Sequence, residues 1–276
     1  MVFKNATVFA ESDNLVILDV AVELPKHRTK IYSKRDEKNI DKVIYHHSAG
    51  NNKKYPYDAI IDMSYFFISP AALPYGRNWP GFTYHFYIPF SPEKNIFGGK
   101  EKFIIYKTQD LNVVSNHTKT QNNVGVAVCF QGDFSMYEPS DAQKVIAEDI
   151  WNGVLKSYLG LDDSCLFGHA DFLKPSCPGR YLTSFVRSIR GKTLPEFSDY
   201  DWQYNLVRLG YDLGSFGPQK DGIDGSFGKK SEDALLEFKK KYYLPLSLEK
   251  DIETKVILVD KIREKFGKEV SIKYVV

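Results

Sequence analysis

The sequence predicts an α/β domain, with a mixed central sheet flanked by helices, followed by a small three-helix domain. Up to about residue 190, short runs rich in β-branched and aromatic residues alternate with segments of helical spacing. Beyond residue 200, three helical segments are separated by Gly-rich turns. A length of 276 residues also exceeds one typical domain. We therefore expect a first domain over 1–190, a linker over 191–199 and a second domain over 200–276.

The predicted strands of the first domain are short and mostly apolar. The run NVGVAVCFQGDF is almost continuously apolar, which is typical of a strand that is buried on both faces. The segment SCLFGHAD is expected to add a last short strand and a loop. The other predicted strands are NLVILDVAVEL, DKVIYHHSAG, GFTYHFYIPF and EKFIIYKT.

Helices are expected between these strands. The segment YDAIIDMSYFFISPAAL is predicted to form the first helix. Ser140, with Gln143 three residues later, forms a capping box in front of KVIAEDIWNGVLKSYLGL, and this pattern predicts a helix start. LTSFVRSIRG is the final helix expected before the linker.

Composition limits the function classes. The chain has 37 Lys and Arg against 35 Asp and Glu, so its net charge of +2 is too small to indicate nucleic acid or a membrane surface as the main partner. No apolar run is long enough to span a bilayer, and the amino terminus lacks the apolar core of a signal peptide. Three cysteines cannot form a disulfide framework in a chain of this size, which favours synthesis in a reducing cytoplasm.

His169 and Cys177 lie eight residues apart beside a Pro-Gly turn, in LFGHADFLKPSCPGRYL. Histidine and cysteine are good ligands for Zn²⁺, and a hydrolytic zinc site takes three protein ligands and leaves one position open. The histidine pair in VIYHHSAG, at the end of a predicted strand, is the obvious source of a third ligand. Spacing alone leaves two interpretations open, a zinc site or ordinary hydrogen-bonded core and loop residues.

Four motifs carry a family resemblance. VIYHHSAG, GFTYHFYI, NNVGVAVCFQGDF and GHADFLKPSCPG, in this order, resemble the motifs of type 2 N-acetylmuramoyl-L-alanine amidases over residues 40–188. This zinc amidase superfamily includes phage endolysins and peptidoglycan recognition proteins. The resemblance implies Zn²⁺ held by His46, His169 and Cys177. Because successive strand residues point to opposite faces, His46 and His47 cannot both reach one metal, and the family pattern favours His46.

The resemblance also implies catalytic residues. Tyr84 matches the tyrosine that lies beside the metal and stabilises the oxyanion, although a plain strand aromatic is the alternative. Relatives carry lysine or threonine two residues before the last ligand, where this chain has Pro175. Lys174 is the candidate replacement, with a solvated surface lysine as the alternative. His85 is expected to be structural, and His117 to lie in a loop or line the cleft; neither is expected to bind metal.

The last part of the chain resembles the small peptidoglycan-binding domain that is often fused to cell-wall hydrolases. The match covers residues 200–268, and an unrelated interaction or stability module is the alternative. Together the two resemblances imply a zinc-dependent peptidoglycan amidase. Because no signal peptide is visible, we expect the phage endolysin type, made in the cytoplasm and acting on the cell wall after release from an infected host. A monomer is the expected oligomeric state. The alternatives are a non-catalytic peptidoglycan recognition protein and a bacterial wall-turnover amidase. Residues 1–39 lie outside the resemblance, and either an added strand or a partner surface is expected there.

Overall fold

The computed structural model describes residues 3–50, 54–71, 76–172 and 176–274. The chain forms two compact units, residues 1–186 and residues 187–276. The first unit contains a mixed sheet with helices, and the second contains helices, which confirms the predicted fold class.

The first unit holds most of the elements of the chain. Its strands are β1 (Thr7–Glu11), β2 (Leu15–Asp19), β3 (Ser33–Lys34), β4 (Lys42–His47), β5 (Phe86–Ile88), β6 (Lys94–Phe97), β7 (Lys100–Lys107), β8 (Val113–Val114), β9 (Gly125–Phe130) and β10 (Leu166–Gly168). The helices of the chain are α1 (Pro56–Ile68), α2 (Asp141–Asp149), α3 (Lys156–Leu159), α4 (Arg180–Gly191), α5 (Asp199–Leu209), α6 (Lys229–Lys241) and α7 (Ile252–Phe266).

Within the described residues, eight strands form one sheet in the order β1-β2-β7-β5-β9-β4-β10, with β6 paired to β7. The strands β5, β9, β4 and β10 run parallel to one another. β9 is buried along its whole length, as its continuous apolar run predicts. Since these strands are parallel, their carboxyl ends meet at one edge of the sheet, which is where ligands bind in open α/β sheets.

The strand predicted for GFTYHFYIPF is shorter than expected. β5 covers Phe86–Ile88 alone, so Tyr84 and His85 precede it. The backbone N–H of His85 still donates to the carbonyl of Ala127 at 2.9 Å, which fixes this segment beside β9. Tyr84 therefore approaches the sheet from a connecting segment rather than from the strand itself.

Residues 7–19 lengthen the sheet. β1 and β2 form an antiparallel pair, and β2 pairs in parallel with β7 from Leu15 to Asp19. For the residues before position 40, the sequence left two possibilities, an added strand or a partner surface. The structure has added strands at positions 7–19.

The two faces of the sheet are covered by different helices. On one face, Ala59, Ile60 and Phe67 of α1 pack in a buried cluster with Tyr87 and Cys129. On the other face, the buried Tyr45 hydroxyl of β4 donates to the carbonyl of Ala147 in α2 at 2.6 Å. α2 begins with the predicted capping box of Ser140 and Gln143, and it continues through a π-helical turn into α3. β4, which carries the histidine pair, is thus packed from both sides.

The second unit contains α5, α6 and α7. Trp202, Leu206, Leu235, Phe238 and Leu258 are buried together in its core. The described parts of the chain contain no helix that is both long enough and apolar enough to cross a membrane.

Gln203 organises the Gly-rich loop of the second unit. Its amide N–H donates to the carboxylate of Asp224 at 2.9 Å, and its carbonyl oxygen accepts from the backbone N–H of Gly225 at 2.8 Å. Gly225 has a φ of +73°, and a Cβ there would lie 2.3 Å from the ring of Tyr200. Glycine is therefore required at this turn, both for its backbone conformation and for its size.

Candidate metal centre

His46 lies on β4 near the carboxyl end of the strand, and its side chain is almost fully buried. Its ring approaches the ring of Tyr84, with 5.1 Å between centroids, and that of His169, with 4.6 Å. Burial and the neighbouring imidazoles hold the pKa of His46 well below its usual value. At neutral pH the ring is therefore uncharged and can offer a lone pair to a metal.

His169 directly follows β10, and strand register brings it to the same edge. β10 and β4 are parallel, with Gly168 paired to Tyr45, so the next residues along each strand are His169 and His46. Both ring nitrogens of His169 are buried and have no hydrogen-bond partner within the described residues. Burial also lowers the pKa of His169. Because an unpartnered buried imidazole is costly, coordination of a cation would directly explain one of these nitrogens.

Cys177 lies in the turn that precedes α4, and its Sγ lies 3.5 Å from Nδ1 of His46. Burial raises the pKa of the Cys177 thiol to about 12, so without a cation the thiol keeps its proton and can donate it to Nδ1 of His46. The backbone N–H of His47 points to the same sulfur at 3.4 Å. This N–H would remain a donor to a thiolate once a metal displaced the proton.

The ligand atoms of His46, His169 and Cys177 all lie within 4.8 Å of one another. In a tetrahedral zinc site, Zn–S of about 2.3 Å and Zn–N of about 2.05 Å place the sulfur and nitrogen about 3.6 Å apart. The Sγ–Nδ1 separation of 3.5 Å agrees with this value. Two imidazoles and one thiolate therefore suit a divalent transition metal such as zinc, and they leave a fourth position for another ligand.

The ring of Tyr84 packs against the ring of His46, one of these three side chains. Burial is the main cause that raises its pKa well above the usual value. The phenol therefore keeps its proton at neutral pH and can donate a hydrogen bond. The other predicted catalytic residue, Lys174, lies outside the described residues.

His47 points away from the three candidate ligands. Its Nδ1 accepts a hydrogen bond from the backbone N–H of Phe134 at 3.3 Å, and the carboxylate of Asp133 lies 3.8 Å from the same nitrogen. The alternation of side chains along β4 thus leaves one histidine of the pair for the centre.

His85 and His117 are both buried, and each has partners for both ring nitrogens. Nδ1 of His85 accepts from the backbone N–H of Ala127 at 3.0 Å, so its Nε2–H donates to the carbonyl of Val113 at 3.0 Å. Burial lowers the pKa of His85 to about 3. The ring of His117 lies 5.4 Å from that of His46 and is bonded to Thr118 and Gly125. Neither ring is left free to bind a metal.

Thr118 is a residue of this centre that sequence reasoning missed. Its hydroxyl lies 3.4 Å from Nε2 of His46 and 3.2 Å from Nδ1 of His117. In the sequence it is one of several polar residues in SNHTKTQNN, and no spacing pattern distinguishes it. Its position next to His117 is the one indication that could have drawn attention to it.

No family model matches this chain, and no curated protein matches it. Among solved structures, the N-acetylmuramoyl-L-alanine amidase LysC from Clostridium intestinale URNW is 19% identical, spans 64% of this chain and 95% of its own, and gives a TM-score of 0.43. Bumblebee PGRP-SA is 18% identical over 62% of this chain and 93% of its own, with a TM-score of 0.48. The endolysin of the Thermus scotoductus bacteriophage Ph2119 is 20% identical over 59% of this chain and 92% of its own, with a TM-score of 0.43. At such low identity, the roles of individual residues rest on the geometry of this chain.

Replacing Gly179 with alanine is expected to disturb the centre through the turn that carries Cys177. Gly179 has a φ of +84°, and a Cβ there would lie 2.2 Å from the carbonyl carbon of Phe134. Backbone must shift to relieve this contact, so we expect Gly179→Ala to weaken Zn²⁺ binding at least about tenfold and to lower the free energy of unfolding by more than the roughly 1–2 kcal/mol of a left-handed residue alone. Chelator competition and urea unfolding measure the two effects.

Gly160→Ala is the matched control for this change. Gly160 also has a positive φ, of +64°, but a Cβ there would meet nothing within 4 Å. This variant should lose about 1–2 kcal/mol of stability and keep its affinity for Zn²⁺. Equal loss of Zn²⁺ affinity in both variants would contradict the assigned role of the Cys177 turn.

Proposed function

We propose that this protein is a zinc-dependent N-acetylmuramoyl-L-alanine amidase that hydrolyses bacterial peptidoglycan. The observation that carries the proposal is the convergence of ligand atoms from His46, His169 and Cys177 within 4.8 Å, at the carboxyl ends of parallel strands. The motifs that contain these residues resemble those of type 2 amidases, and the solved structures that match the chain include amidases and peptidoglycan recognition proteins.

His46, His169 and Cys177 would hold the metal. When bound, Zn²⁺ lowers the pKa of a coordinated water from about 15.7 to near 7 and polarises the scissile carbonyl. The two histidines are neutral at pH 7, because burial lowers both of their pKa values. The backbone N–H of His47 stabilises the negative charge of the Cys177 thiolate.

Tyr84 is assigned to the amide carbonyl of the substrate. In an amidase, hydrolysis of the amide bond between the lactyl group of N-acetylmuramic acid and L-alanine proceeds through a tetrahedral oxyanion. The Tyr84 phenol remains protonated and its ring lies 5.1 Å from that of His46, so we assign its hydroxyl to donate to this oxyanion. We assign the same task to Lys174, which is adjacent to Pro175, the position where relatives carry lysine or threonine.

The second unit is proposed to bind the polymer. It is compact, with its own buried core around Trp202 and Phe238, as expected of an independently folding module. Attachment of such a module to a catalytic domain raises the local concentration of the enzyme on an insoluble substrate. This arrangement favours an endolysin-like protein that acts on the cell wall over an enzyme acting on soluble wall fragments.

The products of wall digestion test the proposed reaction. Zinc-loaded protein should release new L-alanine amino termini from purified peptidoglycan without new reducing sugar ends. Cys177→Ser should lower activity by at least about 100-fold together with zinc content, since removal of a first ligand weakens both. Cys165→Ser is the matched control, because Cys165 is a free cysteine that lies outside the three-residue group.

Two results would contradict this reaction. Release of reducing ends in place of amino termini would identify a glycosidase. Binding of peptidoglycan by zinc-loaded protein without any release of amino termini would identify a recognition protein that has kept the metal centre.

Zinc binding is expected to release a proton from Cys177. The pKa of this thiol is raised to about 12, so the thiol is protonated at pH 7 and must ionise to bind the metal. His46 and His169 have lowered pKa values and release no protons above pH 7. The apparent affinity for Zn²⁺ should therefore rise about tenfold from pH 7 to pH 8, as release of one proton requires. Calorimetry in buffers of different ionisation enthalpy measures the proton count, and an affinity that stays flat over this range would rule out thiolate ligation.

Wall binding by the second unit can be measured on a fusion of residues 187–276 to a fluorescent protein. We expect the fusion to sediment with purified peptidoglycan, and the fluorescent protein alone to stay in the supernatant. The intact chain provides the reference for affinity. A folded fusion that does not sediment would assign the second unit to another role.

A further inference from the structure

A continuous chain of hydrogen bonds links the backbone of β9 to His46. The carbonyl of Gly125 lies 3.2 Å from Nε2 of His117, Nδ1 of His117 lies 3.2 Å from the hydroxyl of Thr118, and that hydroxyl lies 3.4 Å from Nε2 of His46. All three side chains are buried, each less than a tenth exposed. Water therefore has little opportunity to replace any of these bonds.

The carbonyl of Gly125 determines which atom donates and which accepts in each of these hydrogen bonds. A carbonyl oxygen only accepts hydrogen bonds, so Nε2 of His117 must carry the proton. The ring of His117 lies edge-on to the rings of His46 and His85 in a buried environment, where the neutral form is favoured. A neutral imidazole has a single N–H, and Nδ1 of His117 is therefore a bare acceptor.

The Thr118 hydroxyl in turn determines which ring nitrogen of His46 carries the proton. Its hydroxyl has one proton, which goes to the bare Nδ1 of His117, and its lone pair then faces Nε2 of His46. Nε2 of His46 accordingly carries the proton, and Nδ1 is the bare nitrogen. Nδ1 is also the atom that lies 3.5 Å from Sγ of Cys177. The opposite direction would set the lone pairs of His117 Nε2 and the Gly125 carbonyl against each other.

We propose that His117 and Thr118 are positioning residues that lock His46 in the Nε2–H tautomer, so that Nδ1 is presented to the metal. This inference rests on the proposed metal centre. It gives His46 the outer hydrogen bond by which metal-binding histidines are held in one tautomer and one ring orientation. The partner here is a threonine hydroxyl backed by a second histidine, instead of a carboxylate.

Two further residues, Arg35 and Asn122, fix the Gly125 end of this series of hydrogen bonds. Arg35 donates from Nη1 to the carbonyls of Asn122 and Gly125, at 2.9 and 2.8 Å. The side-chain oxygen of Asn122 accepts from the backbone N–H groups of His117 and Thr118, at 3.1 and 2.7 Å. A Cβ at Gly125 would lie 3.1 Å from Cε1 of His117, so the imidazole packs closely against the bare backbone there. The two positioning residues are thus fixed through backbone and side chain together.

Histidine tautomers in the metal-free protein test the inference directly. In ¹⁵N spectra of the histidine-labelled protein, His46 should have a protonated Nε2 and a bare Nδ1. In Thr118→Val, which keeps the shape of the side chain but removes the hydroxyl, the Nδ1–H form should appear. Zn²⁺ affinity, measured by chelator competition, should fall by about 10- to 100-fold, the usual effect of losing an outer partner of a metal ligand.

Thr118→Ser restores the hydroxyl, and it should restore both the tautomer and the affinity. Thr120→Val makes the same chemical change at an exposed position in the same loop, and it should alter neither. A wild-type His46 with a protonated Nδ1 would overturn the inference, whether or not Thr118→Val folds. Unchanged tautomer and unchanged Zn²⁺ affinity in folded Thr118→Val would overturn it as well.

The tautomer measurement separates this inference from the proposed function. Failure of the wild-type protein to bind Zn²⁺ would refute the metal centre, whereas the tautomer of His46 is still measured without metal. Conversely, a protein that binds Zn²⁺ and cleaves the amide, but carries the proton on Nδ1 of His46 when metal-free, would keep the function and lose the role of Thr118.

Discussion

The parallel pairing of β4 with β10 is the constraint on which the rest of the centre depends. The register of Gly168 with Tyr45 makes His169 and His46 neighbours, although they are separated by more than a hundred residues in the sequence. A slip of one residue on β4 would turn the side chain of His46 to the opposite face of the sheet and put His47 in its place. Such a slip is opposed by packing on both faces, including the buried hydrogen bond from Tyr45 to Ala147.

Burial gives the three candidate ligands a common electrostatic character. The same loss of water lowers the pKa values of His46 and His169 and raises that of Cys177, so all three are neutral when no cation is present. The histidines are then ready to bind, while the thiol must give up a proton. A divalent cation makes that ionisation favourable and satisfies one of the two His169 ring nitrogens, which otherwise have no partner within the described residues. A cation bound at these residues is thus expected to add to folding stability.

Much of the fold and part of the centre could be predicted from the sequence. The apolar run of β9 and the capping box at Ser140 are local patterns, and both elements form where these patterns indicate. The motifs also drew attention to His46, His169 and Cys177, which the structure brings together. The length of β5 was overestimated because GFTYHFYIPF has strand-like alternation throughout. In the folded protein only Phe86–Ile88 forms the strand, since pairing with neighbouring strands decides its length.

The hydrogen bonds around the ligands could not be predicted, because each of them either joins residues that are distant in sequence, or involves a backbone atom, or depends on a side-chain orientation that the sequence does not show. The N–H of His47 that points to Cys177 is present in any non-proline residue, and so is the carbonyl of Gly125 that orients His117. The two histidines of the pair therefore contribute different groups to the centre, a side chain from His46 and a backbone N–H from His47. His46 offers its side chain to the centre, while the backbone of His47 supports the sulfur and its ring packs on the other face against Phe134. Because one strand conformation fixes both contributions, the geometry of the metal centre is set by the sheet as much as by the ligands themselves.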